Sequence, residues 1–273
     1  MRIRLLFIIG VIIIASLAAL RFSGVRVKNL PREEESQDEG ATLTALLNQI
    51  EGQESKGNLL EVKALYKRLI AEFPNSPQIG KWQDKAWDLN IKLLFSPMAI
   101  PGSTVYEIKS GDSLDKIAKK FGTTIELLKI SNNLSTDVII TGKKLKAWTK
   151  PFNIVVDKSQ NSLILKSSDE VVKIYVVATG LNNSTPIGTF KIVNRLIDPP
   201  WYKAGAIVPA ESPDNILGSR WMGFDLDGYG IHGTIEPETL GQQITQGCVR
   251  MSKSDVEELY AIIPAGTEVT IVD

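Results

Sequence analysis

FNIVVDKSQNSLILKSSDEVVKIYVVATG, from Phe152 to Gly180, decides the architecture of the C-terminal part of the chain. FNIVVD, SLILKS and VVKIYVVATG are short β-rich runs with a period of two, separated by the turn-forming KSQN and SSDE. After LNNSTPIG a further run, GTFKIV, repeats the pattern. These runs predict hairpins, so residues 152–273 are read as one mainly-β domain. Its second half, PPWYKAGAIVPAESPDNILGSRWMGFD (Pro199 to Asp225), is rich in Pro, Gly and aromatics and reads as long loops that wall a cleft. One helix is expected near the end, with Ser254 and Glu257 at capping-box spacing, followed by a final strand, TEVTIVD.

Upstream, the periodicity changes twice. Between 104 and 149 the order is strand, helix, helix, strand. Val105 to Ile108 is extended, Ser113 caps a helix carrying Leu114, Ile117, Ala118 and Phe121, Thr124 opens a second helix with Leu127, Leu128 and Ile130, and Ile139 to Trp148 is extended again. Between 41 and 96 the period is helical. Leu43, Leu46, Leu47 and Ile50 mark one helix, Leu59, Val62, Tyr66, Leu69 and Phe73 a second, and Trp82, Ala86, Leu89 and Leu93 a third. Pro74 and Pro77 separate the last two. Residues 23–40 are charged and lack apolar periodicity, which reads as a solvated linker.

The chain begins with MRIR and an uncharged run from Leu5 to Leu20, closed by Arg21. Residues 1–22 therefore read as a signal anchor or signal peptide, with the uncleaved anchor favoured because Ser16-Leu17-Ala18 is a poor cleavage site. Arg2 and Arg4 stay on the cytoplasmic side, so the rest of the chain is exported to the cell envelope. Thirty-one basic and thirty-one acidic residues cancel among the 273. That balance gives no broad attraction for nucleic acid and favours a neutral substrate or a polymer recognised by shape.

Export makes the one cysteine, Cys248, unusual, because exported proteins normally use cysteines in disulfide pairs. The one histidine, His232, lies sixteen residues earlier. A thiol nucleophile needs a base within hydrogen-bond reach, and here only His232 can be that base. GYGIHGT and QGCVRM each hold a glycine turn, and adjacent strand ends would bring the two side chains together. Gly247 permits close approach to backbone amides, as an oxyanion hole requires. In an extended backbone Arg250 shares the face of Cys248, where it would lower the thiol pKa or hold a carboxylate. One His and one Cys supply half of a structural zinc site, so neither metal nor cofactor is expected. The order His before Cys disfavours a papain-like protease.

Two stretches resemble known families. Tyr106, Gly111-Asp112-Ser113-Leu114, Ile117-Ala118, Leu128, Asn132 and Gly142-Lys143-Lys144-Leu145 resemble a LysM module of β-α-α-β form. The resemblance implies binding of N-acetylglucosamine-containing glycan such as peptidoglycan, with Gly111, Asp112, Ser113 and Asn132 as glycan-binding candidates. His232-Gly233-Thr234 and Thr245-Gln246-Gly247-Cys248-Val249-Arg250-Met251 match the motif of the YkuD-type L,D-transpeptidases, with Thr185-Pro186-Ile187-Gly188-Thr189-Phe190, Trp201-Tyr202, Pro213-Asp214-Asn215 and Leu217-Gly218 in agreement. Gln246 stands where many members carry a second histidine. This second resemblance implies acyl transfer on peptidoglycan stem peptides. Cys248 would be the nucleophile, His232 the general base and acid, and the Gly233 carbonyl would orient the ring. Gly247, Arg250, Thr234 and Thr245 would serve the oxyanion or the substrate. Transfer to water, giving an L,D-carboxypeptidase, and an inactive peptidoglycan-binding scaffold are the alternatives. GNLLEVKALYKRLIAEFPNSP also resembles a tetratricopeptide-type hairpin, which reads as a packing unit or as a docking surface for an envelope protein.

Overall fold

The computed structural model describes residues 32–203 and 205–273. The expected signal or anchor over 1–22 lies outside these. Among the described residues no helix is long and apolar enough to cross a membrane. Helix α1 (Arg32–Ser55) begins inside the stretch read as linker. Glu, Gln and Arg have helix propensities close to the best, so a run without an apolar stripe still continues a helix that has one.

Residues Leu43–Asp273 form one compact unit. Helices α2 (Leu59–Glu72) and α3 (Ile79–Phe95) follow, and α2 stops directly before Phe73-Pro74. Leu46, Ile50, Val62, Leu69 and Trp82 meet in one buried cluster, the stripe expected from the periodicity. Next comes the β-α-α-β module: β1 (Ser103–Glu107), α4 (Leu114–Phe121), α5 (Ile125–Ile130) and β2 (Lys144–Trp148), with β1 and β2 antiparallel. Ser113 Oγ accepts from Lys116 N and Thr124 Oγ1 from Leu127 N, the two expected caps. Two expectations are corrected. The second strand starts at Lys144 rather than Ile139, and Ile130, the last residue of α5, is exposed, because Thr124, Leu127, Leu128 and Ser131 take the inward face.

The last domain is built on an eight-stranded sheet. Its members are β3 (Phe152–Asp157), β4 (Ser162–Ser167), β5 (Glu170–Val176), β7 (Gly188–Ile197), β10 (Arg220–Phe224), β11 (Gly230–His232), β13 (Val249–Arg250) and β14 (Glu268–Val272). Shorter strands are β6 (Thr179–Gly180), β8 (Trp201–Lys203), β9 (Ala206–Val208) and β12 (Gln243–Thr245). The spatial order is β13-β11-β10-β7-β14-β3-β4-β5. Ile154, Val156, Leu163, Leu165, Ile192, Val269 and Ile271 fill the core under helix α6 (Lys253–Ile262). The cap of α6 is Ser252 rather than Ser254. Its Oγ accepts from Asp255 N and its hydroxyl donates to the Asp255 carboxylate, so the cap lies two residues earlier than the expected box.

The three parts are fused rather than strung together. Ile91 and Leu94 of α3 and Leu127 of α5 belong to the main core, each almost wholly buried. Full burial of such side chains contributes about 1.5–3 kcal/mol apiece. The partly buried Arg195–Glu126 ion pair between the module and β7 adds on the order of 1 kcal/mol. Apolar contact therefore carries the junction. Thr124 also donates to the Ala261 carbonyl of α6, and Asn90 donates to Val172 O at 2.9 Å. The Lys146 ammonium, buried in β2, donates to the carbonyls of Leu93 (2.8 Å), Leu94 (3.1 Å) and Ser96 (2.7 Å) at the end of α3. Desolvation lowers its pKa to about 8. Replacement of Lys146 by Met leaves those carbonyls without their donor and is expected to cost about 1–3 kcal/mol, read as a lower urea midpoint for the whole unit.

Candidate active site

His232 ends β11, a strand paired on both sides. Trp221 of β10 lies opposite it, and β13 runs parallel with Arg250 in register. The imidazole is stacked with the Trp221 indole, ring centroids 5.9 Å apart. Gly230 makes room for that indole, since a Cβ there would fall 2.9 Å from it and 2.6 Å from the Met222 carbonyl. Asn194 Oδ1 accepts from Trp221 Nε1 at 2.9 Å and so fixes the indole. His232 Nδ1 sits 2.7 Å from the Gly233 carbonyl. A carbonyl oxygen only accepts, so Nδ1 carries the proton and Nε2 is the basic nitrogen. Burial lowers the imidazole pKa to about 4, against the opposing pull of the Gly233 carbonyl, with Arg250 adding repulsion. The ring is neutral at physiological pH.

Cys248 lies between β12 and β13, half-buried at the rim of the same cleft. Its thiol donates to the Gly228 carbonyl at 3.4 Å. Burial raises its pKa, outweighing the lowering by the Gly230 backbone and by Arg250. The expected depression of the thiol by Arg250 is therefore present but overruled, and at rest a neutral thiol and a neutral imidazole line the same cleft. The turn before Cys248 demands glycine. Gly247 has φ 131°, and a Cβ on it would meet the Tyr229 ring at 2.6 Å. Thr245 Oγ1 accepts from Gly247 N at 3.2 Å and donates to Cys248 O at 2.7 Å. The amide of Gly247, an oxyanion candidate, is thus already engaged in the resting turn.

Arg250 is buried by the loop that follows β11. Its Nη1 donates to Glu236 Oε2 at 2.8 Å and to Thr239 Oγ1 at 3.2 Å, while its Nε has no partner among the described residues. It braces residues 236–239 and also lines the cleft. Thr234 Oγ1 accepts from Glu236 N, which makes Thr234 part of the same brace. Asn215 pins the opposite wall: its amide donates to Pro199 O and Pro209 O, and its Oδ1 accepts from Leu217 N. Between these walls is a cleft of about 620 Å³ bordered by Trp201, Trp221, Tyr229, His232, Gln246 and Cys248.

Thr245 and Arg250 also line the cleft, whereas Gly233, Thr234 and Gly247 adjoin it along the chain. The other four candidates sit in the β-α-α-β module. Gly111 turns the chain at φ 83°, Asp112 Oδ2 accepts from Tyr106 Oη and Lys109 N, and Ser113 caps α4. Asn132 donates to Leu128 O and Lys146 O and accepts from Lys146 N. The side chains of Asp112, Ser113 and Asn132 are thus engaged within the module, and of the four only Asn132 borders the groove beside Val105, Val138 and Ile140. Sequence reasoning missed Asn194, Trp221, Tyr229 and Glu236. Trp221 and Glu236 carried a faint signal, being an aromatic in a loop-like stretch and an acid between the two motifs. Asn194 carried none, because its role exists only across the β7–β10 register.

A neutral imidazole locked by a carbonyl, and a thiol opening into the same cleft, are the parts that thiol-dependent acyl transfer requires. Comparison with known families identifies two regions of the chain. Residues 151–271 match the model of the YkuD L,D-transpeptidase catalytic domain, and residues 106–148 match the LysM domain. The YkuD protein of Bacillus subtilis (strain 168), whose name assigns it provisionally to the L,D-transpeptidases, is 33% identical over 174 residues, 61% of this chain and 97% of its own. The cell wall-binding protein YocH of the same organism is 50% identical over 93 residues, 32% of each chain. Among solved structures, an L,D-transpeptidase from Mycobacterium smegmatis has a TM-score of 0.38 and 17% identity, over 50% of this chain and 65% of that one. This chain belongs to the YkuD-type L,D-transpeptidase family and carries a LysM domain.

Because Cys248 is the chain's one thiol, its ionisation can be read directly. Alkylation by iodoacetamide should rise with pH through a midpoint above that of an ordinary thiol. A plateau already reached at neutral pH would contradict a protonated resting state.

Proposed function

We propose that the chain is a peptidoglycan L,D-transpeptidase of the cell envelope, forming an acyl-enzyme on a stem tetrapeptide and passing it to an amine. The observation that carries this reading is the shared cleft of Cys248 and His232, with the Gly233 carbonyl fixing the imidazole tautomer. Cys248 attacks the carbonyl that precedes the terminal D-alanine, and its thiol proton passes to His232 Nε2. The imidazolium then gives that proton to the departing amine of D-alanine, leaving a thioester on Cys248. An amine of a second stem peptide attacks the thioester, loses its proton to His232, and the thiol is restored with a crosslink formed.

The pKa directions fit a particular timing. With thiol and imidazole both neutral at rest, the proton moves as the sulfur bonds to carbon, not before. The tetrahedral oxyanion falls to the Cys248 amide, joined by the Gly247 amide once substrate draws it from Thr245 Oγ1. Arg250, tied to Glu236 and Thr239, presents positive charge to the cleft and suits a substrate carboxylate. The envelope location rests on the apolar run after Arg4 and on the LysM match. The LysM domain holds glycan while the neighbouring domain works on its peptides.

Cys248→Ala should abolish D-alanine release from tetrapeptide muropeptides while leaving binding to insoluble peptidoglycan unchanged. Retained turnover would sink the mechanism. A carbapenem should add covalently to Cys248, seen by intact mass, and fail to add to C248A. The acid limb of kcat/KM for D-alanine release reports protonation of His232. That pKa is lowered, so activity should persist as pH falls and drop only near pH 4, where an unperturbed histidine would have cut it off near 6.5.

A further inference from the structure

One flank of His232 is built from groups that take no part in the proton transfers. Leu196, Trp221, His232 and Arg250 stand side by side across β7, β10, β11 and β13, and the next row, two residues along, is Asn194, Gly223 and Gly230. The two facing glycines leave a slot over the sheet, and the Trp221 indole lies in it. A Cβ on Gly223 would fall 2.5 Å from Asn194 Oδ1 and 2.8 Å from Trp221 Nε1, and one on Gly230 would fall 2.9 Å from Trp221 Cζ2. Asn194 Oδ1 closes the far end, accepting from Trp221 Nε1 at 2.9 Å and from Gly223 N at 3.2 Å. Glycine weakens a strand interior, and two of them in register are explained by this close approach of the indole.

The pinned indole turns its face to the imidazole, with 23° between the planes. His232 is only 3% exposed although it borders an open cleft. The Gly233 carbonyl fixes one ring nitrogen but leaves the ring a pivot about that hydrogen bond. A flat wall removes the pivot and keeps water from that face.

We propose that Trp221 and Asn194 are positioning residues for His232: the indole, laid in the glycine slot and pinned by Asn194, holds the imidazole in its Nδ1–H tautomer and shields it from water. That this serves catalysis rests on the proposed transpeptidase function. Arg250, paired with Glu236, is the charged side chain acting on the other flank, and Cys248, Tyr202 and Tyr229 are the other titratable groups lining the cleft. Arg220, beside Trp221 on β10, lies over Tyr260 instead. With Arg250 unchanged, removal of the indole admits water and favours imidazolium, so a pKa that burial lowers to about 4 climbs toward 6.5.

His232 is the chain's one histidine, so its ring can be followed by NMR in the full chain labelled with 15N-histidine. The wild-type ring should be a single tautomer, protonated at Nδ1, with a midpoint near pH 4. W221A should raise that midpoint by at least about one pH unit and mix the tautomers. W221F, a smaller ring with no N–H, should raise it by a smaller step. So should N194A, which alters an exposed side chain outside the cleft. Adding N194A to W221F should change nothing further, because the pin acts through the indole N–H, whereas an effect through Gly223 N would persist. In W221A kcat for D-alanine release at neutral pH should fall at least about tenfold with KM little changed. An unshifted or lowered midpoint in W221A, a wild-type midpoint in N194A, or an N194A effect that survives in W221F would overturn the proposal. If the wild-type chain releases no D-alanine the transpeptidase reading fails, and the titration still decides whether indole and asparagine hold the ring.

Discussion

The parallel pairing of β11 with β13 is the constraint on which the site depends. It sets His232 level with Arg250 and so places Cys248, two residues before Arg250, at the mouth of the cleft His232 enters. Parallel strands need a crossover, and here Gly233 to Cys248 supplies it. That crossover holds Glu236, Thr239 and Thr245, the residues that anchor Arg250 and shape the cysteine turn. The same stretch therefore makes the connection, braces the arginine and forms the turn. A one-residue slip would undo all three.

Electrostatics in this arrangement act against early ionisation. The imidazole is buried under Trp221 and the thiol is half-buried, so desolvation dominates both groups and pushes each toward its neutral form. Arg250 favours thiolate but disfavours imidazolium, so it does not favour the ion pair as a whole. Its Nη1 also pairs with Glu236, which offsets part of its charge. A neutral thiol is less open to oxidation than a standing thiolate would be.

Much of this was legible in the sequence because it is local. Alternation from Phe152 to Val176 gave the first hairpins, the helical stripes gave α1 to α3, and Ser113 and Thr124 gave their caps. The rarity of His232 and Cys248, each beside a glycine, pointed to the candidate site, and the fold brings both to one cleft. What was not legible depends on register or on competition between neighbours. Asn194 reaches Trp221 only through the β7–β10 pairing. Ser254 and Ser252 offer equally good capping patterns, and the chain's path into α6 chose between them. The engagement of the Gly247 amide by Thr245, and the burial that overrides Arg250 at the thiol, are three-dimensional facts with no signature in composition or spacing.

Lys146 gives the fused architecture a further meaning. By closing the end of α3 from within β2, it joins the LysM domain to the rest of Leu43–Asp273 through a buried charge rather than a hinge. A flexible tether samples many separations, whereas a rigid one has a single span. The distance from the LysM groove to Cys248 is thus a built-in measuring gauge. Under the proposed function, with glycan held at one end, only stem peptides at the matching step along the strand, and on the matching side of its twist, would come within range of the sulfur.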